Sequence, residues 1–249
     1  MTVVAAYNIK GGVGKTSVSV NLAWLAAQGG ARVLLWDLDP QGAATYLLRI
    51  KPKVKGGGRR LVHGKSDPAA LLKGTDHERL DLLPADFSYR NMDLALDETK
   101  RPTRRLARVI DKLAGDYDHV FLDCPPAISL ASESIFEAAD VLLVPLIPSP
   151  LSLRTYEQLR RFVAAEVPDP PMILAFFSMI DGRRRLHREV VEQLSADNGV
   201  LRTSIPSASD VERMAVHRRP LAAFAAHGTA GRAYAQLWEE LRERIAPAQ

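Results

Sequence analysis

The sequence is poor in the features that commit a chain to several large classes of protein. Among its 249 residues there is one cysteine, Cys124. That excludes an internal disulfide and a thiolate metal cluster built by this chain alone, and it fits a reducing compartment. No run of about 18 apolar residues occurs, so no segment reads as a membrane-spanning helix. The opening residues, Met1-Thr2-Val3-Val4-Ala5-Ala6-Tyr7-Asn8, lack the basic-then-apolar order of a secretory signal. A strong charge imbalance is missing too: 33 Lys and Arg against 29 Asp and Glu leave a formal charge of +4. That excess permits a polyanionic partner without requiring one. Internal repeats and linker-like stretches are also lacking, so residues 1–249 read as a single domain.

What is there is ordinary globular material, 47% hydrophobic and 25% charged, arranged in a regular alternation. Thr2 to Asn8 is a short apolar run that enters a glycine-rich loop directly, as a buried parallel strand does. Val18, Leu22, Leu25 and Ala26 then recur at helical spacing until Gly29-Gly30 stops them. Arg32 to Asp37 is a second apolar strand, which completes a βαβ unit. Further strands are expected at Leu80–Leu83, His119–Asp123, Val141–Pro145 and Met172–Phe177, with helices between them, including Leu151–Ala165 and Leu186–Leu194. Tyr234, Leu237, Trp238, Leu241 and Ile245 form the apolar stripe of a last helix. The expected fold is α/β: a mostly parallel, twisted sheet flanked by helices on both faces. Lys51 to Lys65, basic and glycine-rich without periodicity, reads as an exposed insertion.

The chemistry concentrates in the loop Asn8-Ile9-Lys10-Gly11-Gly12-Val13-Gly14-Lys15-Thr16-Ser17. It resembles a phosphate-binding P-loop, but Ile9 stands where the usual pattern has its first glycine, and Lys10 is an additional lysine. In such a loop successive backbone N–H groups and a helix N-terminus surround phosphate, a lysine neutralises its oxygens, and a hydroxyl ligates Mg²⁺. Lys15 and Thr16 suit the last two roles. Asp37 and Asp39 in "WDLDPQG" and Asp123 in "FLDCPP" follow strands, and a parallel sheet collects such strand ends on the edge where ligands bind. Asp123 suits the role of holding Mg²⁺ through water.

Together, "KGGVGKTS", "DLDPQG" and "FLDCPP" resemble the ParA/MinD ATPases, the deviant Walker A P-loop ATPases, and the ParA/Soj-like partition branch in particular. The similarity continues through "FSMIDGRRRLHREVVEQL" and "IPSASDVERMAVHRRPL". It implies a P-loop NTPase domain that binds ATP and Mg²⁺ and hydrolyses ATP, weakly alone and faster with a partner. The resemblance makes Lys10 a signature lysine that reaches the partner subunit's phosphates in a nucleotide-sandwich homodimer. It makes Lys15 the in-chain phosphate lysine, Thr16 the magnesium ligand, Asp39 the residue that positions the attacking water and a possible metal ligand, and Asp123 the aspartate that holds the metal through water. Gly11, Gly12, Val13, Gly14 and Ser17 complete the phosphate loop, Ser17 replacing a threonine common in the family. By the same analogy Ser178, Met179 and Pro206 lie near the adenine.

The resemblance also implies non-specific binding to nucleoid DNA and a ParB-like or other cargo adaptor, and hence a cytoplasmic, nucleoid-associated protein. Arg183, Arg184, Arg185, Arg188, Arg213, Arg218 and Arg219 are the candidate DNA contacts. A second run, Arg101, Arg104, Arg105 and Arg108, reads more simply as a solvated helix face. Asp210 to Ala215 departs from the Ser-Glu-Ala-Pro stretch of many ParA proteins. The chain begins at its first strand, so specific operator binding through an N-terminal helix-turn-helix is not expected. Two other readings remain: a MinD-like membrane-associated positioning ATPase and an ATP-dependent metabolic synthetase on the same fold. The last helix mixes Glu239, Glu240 and Glu243 with Arg242 and Arg244, which argues against a membrane-seeking basic face. A synthetase would have no use for Lys10.

Overall fold

A computed structural model describes residues 1–246. Strands β1 (Thr2–Ala6), β2 (Val33–Asp37), β3 (Lys73–Gly74), β4 (Leu80–Leu83), β5 (His119–Asp123), β6 (Val141–Leu146) and β7 (Met172–Phe177) form one sheet in the order β3-β4-β2-β5-β1-β6-β7. Every pairing is parallel except the short β3–β4 edge. The helices are α1 (Lys15–Gln28), α2 (Ala43–Leu47), α3 (Gly57–Val62), α4 (Met92–Asp97), α5 (Arg105–Asp111), α6 (Leu130–Ala138), α7 (Pro150–Glu166), α8 (Arg185–Gln193), α9 (Ser209–His217), α10 (Ala222–Ala225) and α11 (Thr229–Ile245). The fold is the α/β arrangement expected, with a mostly parallel sheet covered on both faces.

The central strands are apolar throughout because both of their faces are buried. In β1, Val3 and Ala5 point into one core and Val4 and Ala6 into the other. The first core takes Leu61 and Val62 of α3, Met92 of α4, Ile110 of α5, Phe136 of α6 and Val163 of α7. The second takes Leu22 of α1, Leu47 of α2, Met214 of α9 and Leu237 of α11. Helix α1 contributes to its core on most sides, with Val18, Val20, Leu22 and Ala23 all sealed from solvent. The apolar stripe of α11 is likewise consumed: Tyr234, Leu237, Trp238 and Leu241 are buried against the sheet. Among the described residues no helix is long and apolar enough to cross a membrane.

The segment 51–65 differs from the exposed insertion the sequence suggests. Its lysines face solvent, but Val54, Leu61 and Val62 belong to the first core and α3 forms within it. Three consecutive glycines hid that helix. Gly58 is what lets it dock: a Cβ there would sit 2.7 Å from the Tyr89 ring, so only glycine permits the close approach.

Register is what gathers the functional groups. Ala6 pairs with Asp123, and Asp37 pairs with the same Asp123, so the C-terminal ends of β1, β2 and β5 finish level. The chain leaves each of them into a loop on the same edge of the sheet, where parallel sheets hold their ligands.

Candidate nucleotide site

The glycine-rich loop is shaped by an asparagine that the sequence reading did not single out. Asn8, buried at the end of β1, donates from Nδ2 to the Pro145 carbonyl at 2.8 Å and accepts the Lys10 N–H at 2.9 Å. These bonds fix where the loop departs from the sheet. An asparagine at a strand end ahead of a glycine run is a signal that could have identified it. Gly12 (φ 70°) and Gly14 (φ 98°) then adopt left-handed backbone, which turns the loop back onto the start of α1.

Lys15, the first residue of α1, is buried and donates to the Lys10 carbonyl at 2.9 Å. Burial lowers its ammonium from the ordinary lysine range, opposed by the carboxylates of Asp123 and Asp39. Asp123 is sealed at the end of β5. Its Oδ1 accepts a long bond from Ser19 Oγ at 3.4 Å, the Thr16 hydroxyl lies against the carboxylate, and its Oδ2 has no hydrogen-bond partner among the described residues. Burial, and then the neighbouring Asp37, push its carboxyl well above the usual range. Two carboxylates side by side, one with an orphaned buried oxygen, leave a need for positive charge. A hydrated Mg²⁺ held by the Thr16 hydroxyl and, through water, by Asp123 would meet it, so the residues present fit that ion.

Asp37 is occupied structurally. Its Oδ2 accepts from the Thr45 N–H at 2.8 Å and the Thr45 hydroxyl at 2.7 Å, and the Thr45 hydroxyl in turn accepts the Ala85 N–H at 2.9 Å. Burial raises its pKa to about 6. It thereby anchors the 38–45 segment to the sheet and carries Asp39 at the rim. Asp39 is half-buried, accepts the Gln41 N–H at 2.9 Å, and is close enough to the loop to act on Lys15. On the other side, Tyr7 donates its hydroxyl to the Ala127 carbonyl at 2.7 Å, holding the segment that follows Asp123. Neither Thr45 nor Tyr7 was legible as a site residue, because their partners lie 8 and 120 positions away.

Lys10 is turned away from its own loop. Its Nζ reaches toward Ser152 Oγ at 3.5 Å, in the first turn of α7, and the side chain stays partly exposed. Leu151, adjacent to Ser152 in α7, is 61% exposed, and Ile128, in the loop after β5, is 55% exposed. Ser178 and Met179 follow β7 and meet the phosphate loop: a Cβ on Gly14 would lie 3.0 Å from Ser178 Oγ and 4.0 Å from Met179 Cε. An isolated bridge between Ile180 and Pro206 brings Pro206 to the same end. Ser17 behaves differently: its hydroxyl faces Tyr234 of α11, and its carbonyl accepts from Asn21. Its side chain therefore serves packing, and only its place at the helix start connects it with the loop.

The candidate DNA arginines are not equivalent. Arg183 pairs with Asp181 at 3.0 Å and Arg185 with Glu189 at 2.6 Å. Arg188 donates to the Gly182 carbonyl, and Arg218 donates to the Tyr46 carbonyl while lying 4.4 Å above the Tyr46 ring. Arg184, Arg213 and Arg219 have no hydrogen-bonded or ion-paired side-chain partner among the described residues.

Residues 1–167 match the model of a family described as an AAA domain. The sporulation initiation inhibitor protein Soj of Bacillus subtilis is 30% identical over 246 residues, covering 96% of this chain and 97% of the relative. The chain belongs to the ParA/Soj-like P-loop ATPases. The chromosome partitioning protein ParA of Myxococcus xanthus, another relative, is 28% identical over 252 residues, 98% of this chain and 89% of its own. Among solved structures, one titled cobyrinic acid a,c-diamide synthase from Mycobacterium smegmatis with bound ATP analogue and magnesium superposes with a TM-score of 0.82. It is 28% identical and covers 98% of this chain and 96% of that one. These similarities cover 96–98% of the chain, so the whole fold and not only its nucleotide edge is shared.

Proposed function

We propose that the protein is a Mg²⁺-dependent ATPase that closes into a nucleotide-sandwich dimer, sits on DNA without sequence preference, and positions or partitions a cargo with an adaptor that accelerates hydrolysis. The observation that carries this reading is the separation of the two loop lysines. Lys15 is buried beneath the loop with Asp123, whereas Lys10, five residues earlier, is partly exposed and carries its Nζ to Ser152 at the start of α7. One lysine is placed to neutralise phosphate within the chain, the other to leave it.

Phosphoryl transfer spreads charge over the γ-phosphate oxygens, and a cation delivered there stabilises it. A Mg²⁺ held by the Thr16 hydroxyl and, through water, by Asp123 would supply positive charge for the phosphates. Lys15 and the loop N–H groups would hold the phosphates, and Asp39 at the rim would orient the attacking water. Lys10, from a second copy, would supply the last charge, which makes turnover depend on dimerisation. Exposed Ile128 and Leu151 support a face that a second copy covers. The names of the Soj and ParA relatives support a partition or positioning role.

The arginines of α8 and α9 support the DNA step. Those already paired, Arg183 and Arg185, keep guanidinium groups that are 92% and 85% exposed, so solvent screens their ion pairs and phosphate can displace the partners. Buried α11 argues against the membrane alternative. The titled synthase activity of the M. smegmatis neighbour would leave Lys10 without a role. Electrophoretic retardation of random-sequence duplex, with and without ATP and at rising salt, tests the DNA step. Retardation that needs ATP and Mg²⁺ and weakens steeply with salt is expected. Binding indifferent to both would overturn it.

A further inference from the structure

A large open groove lies apart from the phosphate loop and shares no residue with it. It holds about 690 Å³ between the arm that follows α2 and the edge of the sheet. It is lined by Lys51, Lys53 and Lys55 of the arm, by Lys73 of β3, and by the apolar Ile50, Ala70 and Leu71. All four lysines are exposed and none has an ion-pair partner among the described residues. The nearest acids are already engaged: Asp76 faces Arg49 at 3.6 Å, and Asp86 accepts the N–H groups of Val54 and Ser88 at 2.8 and 2.9 Å. The arm is not loose. Val54 is 3% exposed and its N–H is held by Asp86, so the lysines are displayed on a fixed turn.

The β3 side is a sheet edge. β3 pairs with β4 on one side only, Lys73 against Leu82 and Gly74 against Asp81, and it ends the strand order. Its outward backbone groups are available for another strand. Lysines along such an edge repel basic segments and admit acidic ones, which turns a guard against aggregation into a selector.

From this juxtaposition we propose that the groove docks an extended acidic segment of a partner protein, added as a strand to β3. Its carboxylates would meet Lys51, Lys53, Lys55 and Lys73, and its alternate apolar side chains would cover Ile50 and Ala70. The chemistry favours a peptide over nucleic acid. No aromatic side chain lines the groove to stack a base, and an apolar floor gives nothing to a phosphate backbone. Preformed walls keep the ordering cost on the peptide alone. The site uses no residue of the nucleotide loop, so it stands whether or not the ATPase reading does.

The test uses the full chain and a fluorescent peptide of about eight residues alternating glutamate with valine. Anisotropy should show binding that weakens with salt and falls about tenfold in the combined variant K53Q/K55Q/K73Q, as expected for three surface ion pairs. An all-glutamate peptide of equal charge should bind more weakly than the alternating one, and basal ATP turnover should match the wild type. Amide exchange at Lys73 and Gly74 should slow when the alternating peptide is bound. Three results would overturn the proposal: no binding, equal binding of the two peptides, or a variant that loses random duplex DNA while keeping the peptide.

Discussion

At the scale of the residue, the site is a balance of buried charge. Asp37 and Asp123 end adjacent strands in register, and both carboxyls are pushed upward, chiefly by burial. The apoprotein thus holds like charges together with only Lys15 beneath the loop to offset them. Asp123→Asn separates the two roles this implies. Without nucleotide the variant should melt at the same temperature as the wild type or higher, because a buried carboxyl that is costly to ionise beside Asp37 is gone. Its Mg²⁺-dependent ATP turnover should fall by about a hundredfold or more, as expected for loss of a group that places the metal. Calorimetry and a phosphate-release assay check the pair of outcomes. A lower melting temperature with turnover intact would mean that Asp123 is structural. The loop, Asp39 and Asp123 were legible because their chemistry lies in consecutive residues at strand ends. Asn8, Thr45 and Tyr7 were not, since what they hold becomes adjacent only when β1 pairs with β5 and β6 and β2 pairs with β4.

At the scale of the element, the helix that follows Asp39 is tied to the C-terminal helices by a reciprocal latch. Arg218, which ends α9, donates to the Tyr46 carbonyl of α2 at 2.9 Å, and Arg49, just past α2, donates to the His217 carbonyl at 3.1 Å. Both arginines are left-handed, with φ of 50° and 61°. At position 218 glycine would suit that backbone better by about 1 kcal/mol. R218G should therefore melt about 2–4 °C above R218A although both lose the same contacts. A double-mutant cycle between Arg218→Ala and Tyr46→Ala should return about 0.5–1 kcal/mol of coupling. If R218A proves the more stable, the left-handed cap carries no strain.

Elements with strong patterns matched their expected positions: β4, β5 and β7 coincide with the apolar runs, and α7 and α8 differ by a residue at each end. Helix α3 and strand β3 did not announce themselves. One is a glycine-rich stretch made helical by burying Leu61 and Val62, the other two residues of edge pairing. Tertiary packing decided both, and local propensity opposed the first.

At the scale of the whole molecule, the nucleotide edge gathers at the C-terminal ends of β1, β2 and β5, and the lysine groove lies by β3, which ends the strand order. In the proposed function a second copy completes the nucleotide edge, because Lys10 Nζ lies toward Ser152 at 3.5 Å while Lys15 sits beneath the loop. Dimer closure is therefore the claim on which the account turns. Light scattering after size exclusion, on wild type and Lys10→Ala with ATP and Mg²⁺, tests it directly. The account predicts that the wild type shifts from monomer to dimer, whereas Lys10→Ala binds ATP with wild-type affinity, stays monomeric and loses turnover. A Lys10→Ala protein that dimerises and hydrolyses ATP as the wild type does would contradict it.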